Sequence, residues 1–301
     1  MRRVRQLLRK RSLRWSERSM VVEGAELLSV ALDAGAPVES VYLAPQASDY
    51  PAVAAATARA FEVGSRVFDL GAGVLERVAD TVTPQPVLAV VGFESPDLAS
   101  VREADLVVVC ADVRDPGNAG TLIRTADAAG AGGVVCCDGT VDPYNPKTVR
   151  ASAGSVFHLP IVAGGEAVTA IRSLRQWGLR ALGTVVREGV DYAEVDLTDR
   201  VALIFGNEAS GLSPDVVASL DDPVTIPMAG RAESLNVSVS AAVLCFEVLR
   251  QRRKGGPGPR QKAKPEEQQG GRRTDPNAAG STMPEMESRP VGDTTDGGRP
   301  S

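Results

Sequence analysis

The sequence predicts an α/β fold built on a mostly parallel sheet, and three observations carry that reading. Short apolar, β-branched runs alternate with longer helical segments along most of the chain. Leu106, Val107, Val108, Val109 and Cys110 are apolar without interruption, as in a strand buried on both faces. The 30 Gly and 20 Pro fall largely at the ends of such runs and punctuate them. A length of 301 residues suits one large or two modest domains, with 43% hydrophobic residues to fill the cores.

Residues 2–14 read as a basic helix in which Val4, Leu7, Leu8 and Leu13 form a thin apolar stripe among arginines. Met20, Val21, Val22, Glu23 and Gly24 lead into a helix ending at Ala34, with Gly35 closing it. A strand over Val38–Leu43, an Ala-rich helix over 48–60 and a short strand over Arg66–Asp69 follow. A helix over 72–80 and a strand over Val87–Val91 complete a small α/β domain, 1–95, with 96–104 as linker. The second domain, 105–250, opens with the strand Asp105–Cys110. Loop and helix over 116–130, strand 134–137, helix 146–153, helix 166–177 and strand 179–185 come next. Strand 201–205, a short helix from Ser213 and Pro214, strand 224–226 and helix 236–250 finish the domain. Strands separated by helices imply a mostly parallel sheet with ligands at its C-terminal edge. Residues 251–301 contain no Leu, Ile, Phe, Tyr or Trp, and a disordered tail is predicted there.

Composition excludes several classes. No run of about 18 apolar residues occurs, so no membrane span is expected. The basic N-terminus lacks an apolar stretch behind it, which argues against a secretory signal and for a cytoplasmic protein. Cys110, Cys136, Cys137 and Cys245 sit in apolar stretches without C-x-x-C spacing, and His158 is the single histidine. Reduced, buried thiols and no metal site are expected. The net charge of −5 hides an asymmetry: residues 1–18 hold eight cations and one acid, residues 251–301 ten cations and seven acids, leaving 19–250 at −15. A polyanion would therefore have to be gripped by the N-terminal segment or by local clusters.

Three loops at predicted strand ends collect polar residues. In the first, DVRDPGNAGTLIRTA, Pro116 and Gly117 make a turn, Asn118 reads as an N-cap, and Arg124 stands inside an otherwise apolar helix. Arg124 either snorkels to solvent or grips an anion. The second, FGNEASGLSP, has Gly206 and Gly211 for unusual backbone angles, with Asn207 and Glu208 to bind a ligand or brace the loop. It lacks the Lys of a phosphate-binding P-loop. The third, IPMAGRAESLNVSVS, leads into the last helix, where Ser234 and Asn236 can cap the first turn. No G-x-S-x-G surrounds any serine, and His158 beside Phe157 and Leu159 reads as a packed residue. The pair Gly71 and Gly73 lacks a third glycine for a dinucleotide fingerprint.

Taken in order, N-x-x-x-x-x-R, GNEASGL and IPM-x-G-x-x-x-SLNVSVS resemble the three motifs of the SpoU (TrmH-type) class of the SPOUT superfamily, RNA ribose 2′-O-methyltransferases. The likeness covers about 105–250, while the first 95 residues resemble that family's L30-like RNA substrate-binding domain, including Val22, Glu23 and Gly24. The resemblance implies a C-terminal trefoil knot, a homodimer and S-adenosyl-L-methionine as cofactor. It implies methylation of a ribose 2′-hydroxyl in ribosomal or transfer RNA. Gly206, Ile226, Met228 and Leu235 are then expected to hold the cofactor through backbone groups, with Thr184 and Asn207 lining the same pocket. Asn118, Arg124, Glu208, Ser234 and Asn236 occupy the family's polar active-site positions. A guanidinium with pKa above about 12 is no simple base, so Arg124 is read as a clamp on an adjacent phosphate. A non-catalytic RNA-binding or ribosome-assembly protein on the same fold is the alternative, and a nicotinamide-dependent oxidoreductase a more distant one.

Overall fold

The computed structural model describes residues 1–79 and 83–255. Its first sheet holds β1 (Ser19–Glu23), β2 (Val38–Leu43), β3 (Arg66–Asp69) and β4 (Val87–Gly92), in the order β1-β4-β2-β3. Strand β4 runs antiparallel to β1 and β2, and β2 is parallel to β3. Alternation divides the faces. Val21, Leu88 and Val90 meet Val4 and Leu7 of α1 (Arg2–Arg9) and Leu75 and Val78 of α5 (Val74–Val78). Met20, Val22 and Val41 meet Leu28 and Ala31 of α3 (Ala25–Asp33) and Val53, Ala56 and Ala60 of α4 (Pro51–Glu62).

Two expectations are corrected in this region. The helix over 2–14 breaks at Lys10, which is extended (φ −109°, ψ 107°), and a second helix α2 (Arg11–Glu17) follows. Residues 19–23, read as a lead-in to a helix, form strand β1, because three consecutive apolar residues there are buried on alternating faces.

The break at Lys10 turns α2 onto the second half of the chain. Arg14, 2% exposed, donates through Nε and Nη2 to Oδ2 of Asp142 (2.8 and 2.5 Å) and through Nη1 to the Leu7 carbonyl (2.6 Å). Trp15 Nε1 and the Tyr144 backbone N–H donate to the other Asp142 oxygen, both at 3.1 Å. Around this pair, Trp15 meets Phe93 edge-on (5.4 Å) and Phe93 stacks on Tyr144 (3.7 Å). Burying an ion pair is costly unless further hydrogen bonds engage its partners, as those with Leu7, Trp15 and Tyr144 do here.

The second sheet has seven parallel strands in the order β7-β6-β5-β10-β8-β11-β9. These are β5 (Leu106–Cys110), β6 (Gly133–Cys136), β7 (Ile161–Ala163), β8 (Arg180–Thr184), β9 (Val190–Asp191), β10 (Val201–Phe205) and β11 (Asp222–Thr225). Leu106, Val108, Cys110, Leu203 and Phe205 face α6 (Pro116–Ala128) and α10 (Val237–Gly255), whereas Val107, Val109, Ala202 and Ile204 face α8 (Ala167–Gln176) and α9 (Pro214–Ala218). Both faces are thus covered, as a parallel sheet requires. Helix α7 (Pro146–Ala151) crosses α6 closely, where a Cβ on Gly120 would stand 2.4 Å from the Thr148 carbonyl. Strands β7 and β9 were not anticipated; they are edge strands of three and two residues, too short to show a period.

Other boundaries shift modestly. The linker stretch contains a 3-10 turn, Leu98–Val101, and Val101 is fully buried. Helix α10 runs to Gly255, past the expected end at 250, and the expected disorder of the remaining tail lies outside the described residues. His158 is surface-exposed rather than packed, its Nδ1 2.7 Å from Asp127. The four cysteines are free and buried, and burial pushes Cys137 and Cys245 up to about 12. No described helix is long and apolar enough to cross a membrane, and no described cluster of His, Cys, Asp or Glu could hold a metal ion.

Candidate active site

Strands β5, β10, β8 and β11 are consecutive neighbours, so the loops leaving their C-terminal ends lie side by side. That places the three polar loops and Thr184, the last residue of β8, along one edge of the sheet. Strand order reverses here, with β6 and β7 to one side of β5 and β10, β8 and β11 to the other, the position where open parallel sheets bind ligands.

A cavity of about 310 Å³ opens there. Thr184, Gly206, Asn207, Ile226, Met228 and Leu235, the six expected cofactor positions, all line it. Glu208 and Ser234 line it too. Gly206 is forced by its own loop: a Cβ there would lie 2.4–2.6 Å from backbone atoms of Gly211 and Leu212. Asn207 spends its side chain on building that loop, donating to the Asp112 carbonyl (3.1 Å) and accepting from the N–H groups of Ala209 (2.9 Å) and Ser210 (3.2 Å). Its backbone exchanges two 2.9 Å hydrogen bonds with Gly211.

The three loops are tied by one chain of hydrogen bonds. Glu208 Oε1 accepts from the Asp115 N–H and from Asn118 Nδ2 (both 3.0 Å), and Oε2 accepts from the Arg114 N–H (3.2 Å). Asn118 Oδ1 in turn accepts from Asn236 Nδ2 (2.9 Å). Partial burial raises the Glu208 pKa, but the bonds from Asn118 and from backbone N–H groups outweigh it and hold the carboxyl below its ordinary range. Glu208 is therefore an ionised brace whose oxygens are already committed to donors.

Capping explains why Asn118 is available for this chain. It was expected to be the N-cap of α6, but the helix starts at Pro116 and Asp115 is the cap, accepting from the Asn118 N–H at 2.8 Å. Proline at the first helical position has the right φ and lacks the N–H that would go unpaired, which fixes the start. The dipeptide Asp115-Pro116 carried that signal in the sequence. Asn236 behaves as expected for a cap, its Oδ1 accepting from the Ser238 N–H (2.8 Å) and hydroxyl (2.6 Å).

Arg124 stands apart. Six residues beyond Asn118, it lies about 9 Å further along α6 and roughly 120° round it. It is exposed, lines no part of the cavity and makes no hydrogen bond or ion pair among the described residues. Among the described residues neither Asn236 nor Ser234 hydrogen-bonds to it; Asn236 is engaged with Asn118. Cavity-lining residues that sequence reasoning missed include Val186, Ser210, Glu233 and Ser240. Ser210, Glu233 and Ser240 lie within the quoted loop strings but were not singled out there, and Val186 lies outside them; where the loops fold brings all four to the cavity.

A parallel α/β sheet with a mixed polar and apolar cavity at its strand-order reversal defines an α/β protein with a small-ligand site at the C-terminal edge. Residues 105–246 match the SpoU rRNA Methylase family model, and residues 1–89 match the MRM3-like substrate binding domain model. The 23S rRNA (guanosine(2553)-2'-O)-methyltransferase RlmP of Bacillus subtilis (strain 168) is 38% identical over 62% of this chain and 74% of its own length. The 23S rRNA (uridine(2479)-2'-O)-methyltransferase of Streptomyces viridochromogenes is 34% identical over 83% of this chain and 88% of its own. The crystal structure of the SpoU methyltransferase AviRb from Streptomyces viridochromogenes, in complex with the cofactor AdoMet, superposes with a TM-score of 0.74 at 31% identity, covering 84% of this chain and 98% of that one. The chain belongs to the SpoU rRNA methylase family.

Proposed function

We propose that this chain transfers a methyl group from S-adenosyl-L-methionine to a ribose 2′-hydroxyl of ribosomal or transfer RNA. Family membership makes it a cofactor-dependent RNA 2′-O-methyltransferase, and both relatives above are named for 23S rRNA, which favours a ribosomal substrate. The hydrogen-bond chain Glu208–Asn118–Asn236 carries the reading, because it joins all three motif loops at the rim of one cavity.

The cavity fits the cofactor by size and by donor set. At about 310 Å³ it falls within the range of small-ligand pockets, roughly 300–1,000 Å³. In this reading backbone groups of Gly206, Ile226, Met228 and Leu235 hold the adenosine and methionine portions, with Thr184 and Asn207 beside them, and all six line the cavity. When bound, the sulfonium supplies a methyl carbon that is already electrophilic. The protein's work is alignment, which can contribute on the order of 7–11 kcal/mol to lowering a barrier. In this reading Ser234 at the cavity wall and the Asn118–Asn236 pair at its rim orient the 2′-hydroxyl. The Arg124 fork holds an adjacent phosphate, and that phosphate or a water takes the proton.

Arg124 points to solvent in the single chain, so a homodimer that brings a second copy's cavity to α6 completes the site in this proposal. Exposed apolar residues on α10, Val239 (47%) and Phe246 (48%), support burial of that surface by a partner. The proposal further holds the family's trefoil knot in 105–250, an RNA-binding role for 1–95 and a cytoplasmic location. Arg124→Ala is expected to keep cofactor binding by calorimetry within about twofold while losing at least 100-fold in tritium-methyl transfer, the size of a lost transition-state electrostatic contact. Unchanged turnover would remove Arg124 from the mechanism.

A further inference from the structure

We propose that the outer face of α1, made of Arg2, Arg5 and Arg9 with Arg77 of α5 beside it, is the surface by which this enzyme grips the phosphate backbone of duplex RNA. The inference rests on the RNA-methyltransfer reading above and names where that RNA is held.

Helical geometry sorts the cations of the first segment. Arg2, Arg5 and Arg9 recur at i, i+3 and i+7 and so share one side of α1, opposite Val4 (1% exposed) and Leu7 (0%). Arg3 is turned to the flank and spent on Glu17 (2.7 Å) and Glu39 (2.8 and 2.7 Å). Arg14 is buried on Asp142. Two of the eight cations in residues 1–18 are therefore structural. The stripe is not: Arg2 and Arg9 make no ion pair among the described residues, and Arg5 donates only to the Arg77 carbonyl (3.1 Å). That single bond sets the exposed Arg77 next to the stripe.

An unneutralised guanidinium row on a body of net charge −15 over 19–250 has one physical consequence for a polyanion. Approach to α1 is favoured over approach to the acidic body as a whole. The stripe carries guanidinium forks, which suit bidentate contact with phosphates, and lacks the aromatic rings on which splayed single-strand bases commonly stack. It is also rigidly placed. Helix α2, one residue further on, is fixed through the Arg14–Asp142 pair to the loop between β6 and α7 of the cavity-bearing half. Phosphates held by α1 thus stand at a set distance from the site.

The experiment uses the full chain and a mixed-sequence duplex RNA as probe, with binding followed across a potassium chloride series. The triple variant Arg2→Gln/Arg5→Gln/Arg9→Gln keeps helix-forming residues at exposed positions. Its plot of log affinity against log salt is expected to be shallower by about 2.7, the value for three lost phosphate contacts. A control triple at exposed cations elsewhere that make no ion pair among the described residues, Lys147→Gln/Arg172→Gln/Arg187→Gln, is expected to leave the slope unchanged. An unchanged slope in the first triple, an equal loss in the control, or loss of anionic-vesicle binding in place of RNA binding overturns the assignment. In the unmodified protein, phenylglyoxal labelling read by mass spectrometry is expected to show RNA protecting Arg2, Arg5 and Arg9 but not Arg66, and the reverse pattern overturns it independently of any variant's folding. If the protein methylates RNA while the first triple keeps its slope, the surface falls and the function stands. If the slope drops yet no methyl is transferred by the unmodified protein, the function falls and the surface stands.

Discussion

Glu208 shows how a residue that looks catalytic acts through others. Its two oxygens receive three donors from the start of α6, so its charge draws the second motif loop onto the first. Because its folded-state pKa lies below the unfolded value, its contribution is complete above the ordinary carboxylate range and fades as pH falls through the depressed value. Cofactor affinity measured by calorimetry is therefore expected to hold through the ordinary Glu pKa of about 4.3 and to weaken only at more acid pH. Glu208→Gln is expected to weaken affinity by about tenfold, or ~1.4 kcal/mol, and to remove the acid limb. A variant with the parent's pH profile would show that the brace is idle. The family resemblance carried by the motif strings made Gly206, Asn207, Ile226, Met228 and Leu235 legible as neighbours of one cavity, and the strands they follow are adjacent in the sheet. The partner of each side chain was not legible. Asn118 was read as a cap because Asn caps helices, yet Asp115 three residues earlier had the better claim through Pro116.

Elements with a long period or an unbroken apolar run were legible, and short edge elements were not. Strand β5 announced itself by five apolar residues, and β10 by Val201 to Phe205, all buried. Strands β7 and β9 were missed at three and two residues. The break at Lys10 carries no Gly or Pro, so nothing local marked it; the Arg14–Asp142 contact, 128 residues apart in sequence, rewards the turn. That contact makes the first two helices part of the fold and not a detachable arm. Asp142→Ala strands the buried Arg14 charge and is expected to cost about 3–5 kcal/mol. In thermal unfolding this corresponds to a Tm lower by on the order of 10 °C, with the Arg14→Met/Asp142→Leu double replacement recovering much of it. An unchanged Tm for Asp142→Ala would mean that the two halves are held by apolar contacts alone.

At the scale of the whole molecule, two exposed surfaces among the described residues bear on assembly and RNA binding. One is the cationic side of α1, and the other is the apolar side of α10, a helix that packs on the Arg124-bearing helix α6. The proposed homodimer would account for the second by burying it. Phe246→Glu places a charge in that interface and is expected to convert a dimer into a monomer in sedimentation velocity, with methyl transfer lost and the fold retained by circular dichroism. A monomeric parent protein would end the dimer proposal. Composition foretold the charge asymmetry but not its division into structural and free cations, since only packing assigns Arg3 and Arg14 to acids inside the protein.

The most direct measurement combines purified full-length chain, deproteinised ribosomal RNA and S-adenosyl-L-methionine labelled in its methyl group, followed by digestion of the RNA to nucleosides. The expected result is label in a single 2′-O-methylnucleoside, abolished by Arg124→Ala. Label on a base, or RNA that stays unlabelled while transfer RNA is unlabelled as well, would contradict it.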